Sequence, residues 1–528
     1  MNRFLRSLRW ALFLLVSLSF NLIAKTLVLG NGSEPGTLNP FNSETTSDSN
    51  VISSLFEGLT YMDKHYQILP AQAESWTESE DGLLFTFQLR KGLKWSNGDS
   101  LTAHDFVFAM RYCANPENAM VRSQSLKDLH MKNAQKVISG ELPLEQLGIR
   151  AVDDHTLEIQ LDKAVPFALS SINFTVVPLH RKSVEKYGDK WPQPGNLISN
   201  GAYKLDKWVV NEYVSAVKNP HYRESDQVNI EEVMFLPLQP EAELKRYQAG
   251  EVHITDSFPS IFHSKLKAQV PDEVRTHPTF STYFYEFNLN DPKFSNKYLR
   301  QALALSVDRD VITKLITRQG ESPAYSTVSP RSYDFIAPDT FYKTEEQKTR
   351  NEKARELLKQ AGFEQGSDLE VELLYNTRES HRQIALAISD MWKRSLGVKT
   401  RLRNMEFNSM LADIAQGKFE LSRKTWVVRD PEPCYMLKIY QSDDPFNDSK
   451  YNNPKFDALL EKACTGKLTP EHRKFRQQAF QELEAILAED MPGIPILHGV
   501  SNRLVKPEVK GFPKSGEANL FRIRDLSF

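Results

Sequence analysis

Residues 369–422, LEVELLYNTRESHRQIALAISDMWKRSLGVKTRLRNMEFNSMLADIAQGKFELS, carry the most regular pattern in the chain. Short alternating apolar runs are separated by longer runs with helical periodicity. The pattern predicts strand 369–374, helix 380–395, strand 398–404, a short helix near 407–415 and strand 418–422. Strands that alternate with helices are typical of parallel sheets, so this part of the chain is expected to form an α/β unit.

Elements outside this stretch have their own start signals. Thr102 and Asp105 are spaced as in a capping box, which predicts a helix from about residue 103. Thr469 and Pro470 fit the N-cap and first helical positions of a helix over 470–488. The apolar stripe expected on that helix consists of Phe475, Ala479, Phe480, Leu483 and Leu487. Further strands are predicted at 83–89, 156–161, 201–210 and 493–497.

The composition excludes several classes of protein. The 528 residues include 66 Lys and Arg against 68 Asp and Glu, so the formal charge of −2 gives no electrostatic footprint for a nucleic-acid binder. The three cysteines, Cys113, Cys434 and Cys464, are too few and too widely spaced for a disulfide scaffold or a paired zinc site. Whether any two of them form a disulfide stays open at this point.

The first 24 residues have the features of a cleaved signal peptide. Arg3, Arg6 and Arg9 form a positive region in front of the apolar run 10–23, which is shorter than the ~20 residues of a membrane span. Cleavage is expected after or close to Ala24, and an uncleaved N-terminal anchor is the alternative. No cysteine follows the apolar run, so a lipoprotein is not expected. Removal of this segment takes away three arginines and no acid, changing the formal charge from −2 to −5.

The usual catalytic signatures are missing from the chain. It contains no phosphate-binding loop, no dinucleotide fingerprint, no G-x-S-x-G elbow and no H-E-x-x-H motif. No cofactor, metal site or catalytic residue is therefore predicted, and an enzyme is the less favoured class.

Seven strings, in collinear order over nearly the whole mature chain, resemble the periplasmic oligopeptide-binding proteins of bacterial ABC importers and their extracellular solute-binding family, family 5 of the peptide and nickel type. They are LVLGNGSEPGTLNPFNS at 27–43, LFEGLTYMD at 55–63, ESWTESEDGLLFTFQLRKGLKWSNGDSLTAHDFVFAMR at 74–111, LISNGAYKLDKWVVNE at 197–212, TYFYEFNLN at 282–290, LRQALALSVDRDVI at 299–312 and RLVKPEVKGF at 503–512.

The resemblance implies an α/β protein with the bilobed periplasmic-binding-protein fold, class II-like and of the large cluster C type. One lobe would combine a discontinuous domain, residues 25–46, 177–280 and 498–528, with an inserted domain at 47–176. The second lobe would be 281–497. Two segments near 281–283 and 498–500 would cross between the lobes and act as the hinge.

In this family the peptide ligand lies between the lobes, and the resemblance assigns several residues to it. Glu34 belongs to an N-terminal segment whose backbone lines the cleft. Trp426 matches an aromatic residue beside the ligand, while Arg423 and His381 match groups at the peptide carboxylate. A buried core tryptophan and a surface arginine are the structural alternatives for Trp426 and Arg423. Phe108, Phe284, Phe407 and Val427 complete the predicted contacts.

Four positions depart from the family pattern. Arg429 stands where peptide binders have the aspartate that pairs with the ligand α-amino group, so either neighbouring Asp430 takes that role or Arg429 meets an anion. Gly499 replaces a tyrosine of the cleft. The two cysteines that pair in relatives are Ser281 and Val427 here, so that disulfide cannot form.

The favoured function is therefore a periplasmic receptor that captures short peptides and delivers them to an inner-membrane ABC permease, acting as a monomer without nucleic acid. The first alternative is a receptor for a modified or murein-derived peptide that lacks an ordinary amino terminus. An exported hydrolase and a holdase-like interaction protein are alternatives from other classes.

Overall fold

The computed structural model describes residues 26–364 and 368–528, and the predicted signal peptide with its cleavage site lies outside these ranges. Four sheets are present in the described residues. The first lobe contains a sheet in the order Thr26–Gly30, Glu232–Leu236, Tyr213–Lys218, Tyr203–Val209; a second in the order Ala73–Glu78, Leu84–Leu89, Thr156–Gln160, Ile149–Ala151; and the pair Thr60–Met62 and Ile68–Pro70. The six-stranded sheet has the order Ser322–Pro323, Gly493–Leu504, Val274–Phe287, Leu421–Val428, Glu370–Asn376, Lys399–Met405.

Both lobes contain helices. Those of the first half are Thr46–Leu55, Ala103–Ala114, Ser123–Asp128, Ala134–Ile138, Ala168–Thr175, Arg181–Tyr187, Pro240–Gln248 and His263–Gln269. Those of the second half are Lys297–Leu305, Arg309–Val311 continued by the π-helical turn Ile312–Thr317, Phe341–Thr344, Gln347–Gln360, Glu379–Leu396, Phe407–Ala415, Pro433–Leu437, Pro454–Cys464 and Pro470–Asp490. None of the helices in the described ranges combines the length and apolarity that crossing a bilayer needs.

Most of the predicted elements are confirmed. Glu370–Asn376 pairs in parallel with both Lys399–Met405 and Leu421–Val428, as the alternation of strands and helices predicted. The helices that start at Ala103 and Pro470 have the expected caps, a reciprocal Thr102–Asp105 capping box and a Thr469 side chain that accepts from the His472 amide.

Two predictions of detail are wrong. The strand placed at 418–422 runs from Leu421 to Val428, because the backbone before it bonds to a side chain: the Asn288 amide donates to the carbonyl oxygens of Gly417 and Phe419, each at 3.0 Å. On the last long helix, Phe475 is exposed and stacks on His472, while the core position beside it is filled by Arg476. An arginine with a buried ion-pair partner can occupy such a position, and the apolar pattern alone does not show this.

The apolar cores divide the molecule into two lobes. One set of buried residues lies between Leu27 and Val274 and between Leu504 and Leu526, and the other lies between Tyr283 and Leu497. The antiparallel strands Val274–Phe287 and Gly493–Leu504 contribute to both sets and connect them. Their register shifts between Pro278 and Thr282, which locally interrupts the ladder where the hinge was predicted. The finer domain boundaries stay a prediction.

Cys434 and Cys464 form a disulfide with their Cα atoms 5.9 Å apart, and Cys113 is a buried free thiol. The bridge joins the start of helix Pro433–Leu437 to the end of helix Pro454–Cys464. Burial raises the pKa of the Cys113 thiol to about 12, so this group stays protonated at neutral pH.

Candidate functional site

The two lobes touch along a zone that we call the interlobe seam, formed by residues 79–171 of the first lobe and 430–467 of the second. Lys438 pairs with Asp128 and Glu461 with Lys163, both at 2.5 Å. The Lys467 ammonium donates to the Ser79 carbonyl at 3.0 Å, and the Ser171 and Tyr435 hydroxyls bond directly. The protein is therefore in a closed form, because lobes that open about a hinge lose contacts of this kind.

Strand Leu421–Val428 lies between the hinge strand Val274–Phe287 and the parallel strand Glu370–Asn376. Its register places Arg423 opposite Tyr285 and Trp426 opposite Thr282. Successive side chains of a strand point to opposite faces, so Arg423 and Trp426, three residues apart, lie on different faces of the sheet. Arg423 and Trp426, both predicted to contact the ligand, therefore have different neighbours.

Arg423 lies where the parallel strand Glu370–Asn376 ends. Its guanidinium donates to the Asn376 side chain at 3.2 Å and to the Thr425 hydroxyl at 2.6 Å, and it stacks over the Tyr283 ring at 5.0 Å. The His381 ring is 5.6 Å from the same tyrosine. The structure thus brings Arg423 and His381 together, and their predicted carboxylate-binding role stays a prediction.

The surroundings of Arg423 are cationic. Burial lowers the pKa of Arg423, with the positive charge of Arg378 acting in the same direction. The pKa of His381 falls to about 2, first through burial and then through Arg423 and Arg378, so its imidazole is neutral. Within the part of the chain that the structure describes, neither arginine forms an ion pair, and Nδ1 of His381 has no hydrogen-bond partner. The cluster therefore carries an excess of positive charge, which a negative group would balance.

Sequence reasoning missed Tyr283, Asn376 and Arg378 in this cluster. A signal for the last two exists: Asn376 ends a parallel strand and Arg378 directly precedes helix Glu379–Leu396, and such junctions hold ligands in open α/β sheets. The amino-terminal end of that helix adds partial positive charge. Its first-turn acid, Glu379, is bound by Arg382 and does not neutralise Arg423.

The opposite face of the strand carries aromatic side chains. The Trp426 indole N–H donates to the Tyr435 carbonyl at 2.8 Å, and its half-buried ring lies 5.1 Å from the exposed ring of Phe446. Phe284 is only 1% exposed and packs against Tyr440 inside the second lobe. Its ring therefore belongs to the lobe interior, whereas Trp426 keeps surface that a ligand can reach.

Arg429 and Asp430 follow this strand at the seam. The Asp430 side chain is 3% exposed and accepts hydrogen bonds from the Ser170 hydroxyl of the first lobe and, at 3.1 Å, from the Glu432 amide. Burial raises the pKa of its carboxyl to about 7, and Glu432 adds to the rise. Arg429 is reached by solvent, yet the protein around it lowers its pKa to about 10 by desolvation.

The remaining predicted residues are dispersed. The Glu34 carboxylate accepts from the Trp208 indole and from the Asn211 amide at 3.2 Å. Phe108 stacks with Arg181 at 5.6 Å on the helix that starts at Ala103. Phe407 is an exposed residue at the start of its helix. The structure does not bring these three to the Arg423 cluster, and their ligand roles stay predictions.

Gly499 lies at the irregular hinge ladder. A Cβ atom at this position would be 2.3 Å from the Ser281 hydroxyl oxygen, which bonds the Thr279 hydroxyl at 2.7 Å. A side chain at position 499 would therefore require the Ser281 hydroxyl to move. Ser281 is directly opposite Val427, which is 61% exposed, so the two positions that carry the relatives' disulfide are neighbours in this chain too.

Residues 67–448 match the family described as bacterial extracellular solute-binding proteins, family 5. The chain belongs to this family. It is 38% identical over 507 residues to the periplasmic oligopeptide-binding protein OppA of Salmonella typhimurium, covering 95% of this chain and 92% of the relative.

Two solved structures extend the likeness to the fold. The murein tripeptide binding protein MppA of Escherichia coli has a TM-score of 0.85 at 35% identity, covering 96% of this chain and 99% of that one. Haemophilus influenzae OppA in complex with the peptide RPPGFSPFR has a TM-score of 0.83 at 34% identity, with the same coverage. The predicted bilobed α/β fold of a family 5 solute-binding protein is thereby confirmed.

Proposed function

We propose that this protein is a receptor that binds short peptides between its lobes and delivers them to an ABC importer. The relatives OppA and MppA are peptide-binding proteins of the periplasm by name, and the shared family and fold support the same role and location here. The role needs no catalytic group. Ligand contacts with both lobes favour the closed form, which the importer recognises.

The observation that carries this proposal is the cluster around Arg423. A guanidinium held by Asn376 and Thr425, with Arg378 near it and without an acid partner in the described residues, is suited to receive the carboxylate of a peptide. Backbone pairing of an extended peptide would supply affinity that does not depend on its side chains.

Native mass spectrometry of protein purified without unfolding tests the proposal directly. We expect masses that correspond to the protein with co-bound short peptides, and none after the protein has been unfolded, dialysed and refolded. The stripped protein should then bind mixed tri- to pentapeptides in calorimetry, with a smaller radius of gyration in X-ray scattering. Protein that is bare from the start and ignores these peptides would contradict the proposal.

Asp430 is proposed to bind the ligand α-amino group, in place of the family aspartate at position 429. We expect Asp430→Asn to reduce the affinity for a free-amino peptide by about 10- to 100-fold, because a charge-assisted hydrogen bond to a buried group is lost. The same variant should leave the affinity for the N-acetylated peptide unchanged. Calorimetry on the two peptides measures both effects.

The pKa of Asp430 gives this prediction a pH dependence. Its carboxyl has a folded pKa of about 7, so it is progressively protonated below pH 7 and loses the charge that holds an ammonium group. The affinity for free-amino peptides should therefore fall as the pH is lowered from 7.5 to 5.5, and Asp430→Asn should remove this dependence. Unchanged affinity in Asp430→Asn at pH 7.5 would exclude the proposed role.

Arg429 favours a second candidate, a receptor for a modified or murein-derived peptide without an ordinary amino terminus. A cation at this position repels an ammonium group, and one similar structure is that of a murein tripeptide binding protein. This candidate requires that N-acetylation leaves the affinity of the wild type unchanged. A loss of tenfold or more on acetylation favours the first candidate.

A further inference from the structure

Two arginines stand on opposite sides of the interlobe seam. Arg122 belongs to the first lobe, where its amide donates to the Phe41 carbonyl and its Nε to the Ser43 carbonyl, both at 2.9 Å. Arg429 belongs to the second lobe and immediately precedes Asp430. The two guanidinium groups therefore extend from different lobes.

Contacts made by neighbouring residues place both segments at the seam. Asp430, next to Arg429, accepts a hydrogen bond from Ser170 of the first lobe. Helix Ser123–Asp128 begins directly after Arg122 and ends at the aspartate that pairs with Lys438, at 2.5 Å, on the second lobe. Both arginines therefore belong to the region where the lobes meet, and the positive charge of Arg122 acts on Arg429 there.

No acid neutralises Arg429 in the described residues. Desolvation is the larger cause of the lowered pKa of Arg429, and the positive charge of Arg122 lowers this pKa further. Arg122 has Asp48 and Glu44 nearby, but the Asp48 carboxylate is already engaged by the amides of Gly36, Glu44 and Thr45. Closure therefore brings like charges together in a partly desolvated place, which is unfavourable unless an anion joins them.

We propose that Arg122 and Arg429 form a subsite for a carboxylate of the bound ligand, next to the ligand's amino end. A carboxylate accepts two parallel hydrogen bonds from one guanidinium and can bridge to a second one, so it would connect the lobes and remove the repulsion. The position next to Asp430 points to an acidic side chain on the first ligand residue. The receptor then prefers acidic peptides, an inference that rests on the proposed function.

Matched tripeptides test this preference. Glu-Ala-Ala and Gln-Ala-Ala differ by one carboxylate, and calorimetry on stripped wild-type protein should give about 10- to 100-fold tighter binding of the Glu peptide. We expect Arg429→Gln to bring this ratio close to one by weakening the Glu peptide alone. Arg122→Gln is the second variant and should reduce the ratio as well. Arg394→Gln removes an exposed arginine that pairs with Asp390 on its own helix and is not part of the seam, and it should keep the wild-type ratio.

Sulfate alone provides a probe that does not depend on peptide binding. Sulfate raises the melting temperature of any protein by exclusion from its surface, so the informative quantity is the difference between variants. At constant ionic strength the rise should be larger in the wild type and Arg394→Gln than in Arg429→Gln.

The outcomes separate the two proposals. Equal affinity for the Glu and Gln peptides in the wild type, or a preference that persists in Arg429→Gln, overturns the subsite and leaves the peptide receptor intact. If neither peptide binds, the proposed function fails, and the sulfate experiment alone tests the subsite. Equal rises in melting temperature in the wild type and Arg429→Gln would then overturn the subsite.

Discussion

Arg423→Ala is expected to weaken the binding of peptides with a free carboxylate by about 10- to 100-fold, a loss of roughly 1.5–3 kcal/mol. The physical reason is that this guanidinium is held in place and has no acid partner in the described residues. Asn376 and Thr425 fix its position, and Tyr283 supports its flat face, so little order has to be created when a carboxylate arrives.

A matched pair of peptides isolates this effect. The wild type should bind the free acid more tightly than the carboxamide of the same peptide, and the Arg423→Ala variant should bind both with about equal affinity. Arg394→Ala, an exposed arginine elsewhere on the same lobe, should keep the wild-type ratio. Calorimetry gives the ratio, and thermal unfolding gives a check: a large fall in melting temperature would mean that Arg423 is structural and that its proposed binding role is unsupported.

The largest expected effect on stability belongs to Arg476. Its side chain is 1% exposed, and one of its terminal nitrogens contacts both carboxylate oxygens of Glu432 at 2.7 Å. Arg476→Met removes the partner of a buried carboxylate, and breaking such a pair costs about 3–5 kcal/mol. Urea unfolding should show this as a clear fall in the free energy of unfolding.

A neighbouring arginine provides the control. Arg473 lies three residues earlier on the same helix and reaches Asp334 at 2.7 Å, but its side chain is exposed, so Arg473→Met should cost less than about 1 kcal/mol. Combining Arg476→Met with Glu432→Gln should recover part of the loss, since no buried charge is then left unpaired. A single Arg476→Met variant as stable as the wild type would show that Glu432 is held by other groups.

Arg476→Met should also affect Asp430, the residue proposed to bind the α-amino group of the ligand. Arg476 is among the charges that lower the pKa of Asp430, two residues from Glu432. The buried pair thus stabilises the second lobe and also tunes the carboxyl that faces Ser170 across the seam.

Several elements of this fold could be predicted from local patterns. The capping box at Thr102, the N-cap at Thr469 and the parallel unit between Glu370 and Val428 all depend on residues a few positions apart. The exceptions have physical causes that act over longer distances. The core position expected for Phe475 is occupied by Arg476, whose partner Glu432 lies on a different element. The strand expected from residue 418 starts later because the Asn288 side chain donates to the preceding backbone.

For the candidate site, the sequence predicted which residues to consider but not how they are arranged. The family resemblance pointed to Arg423, Trp426 and His381, and Asp430 was one of two alternatives raised by the departure at position 429. The resemblance did not show that Arg423 and Trp426 face opposite sides of their sheet. Nor did it show that Phe284 is enclosed in the lobe, that Cys434 and Cys464 are bonded, or that Asp430 bonds to the other lobe.

The sequence by itself determined the order of the main elements, because periodicity, caps and turns act between neighbours along the chain, and its resemblance to the family implied the bilobed fold. Only the tertiary structure decided which charges meet: Arg423 with Arg378 and His381, Arg476 with Glu432, and Arg122 across the seam from Arg429. These encounters depend on how distant segments fold together and how far the lobes close. The free energy of a charge is set by its burial and its partners, and neither is written in the local sequence.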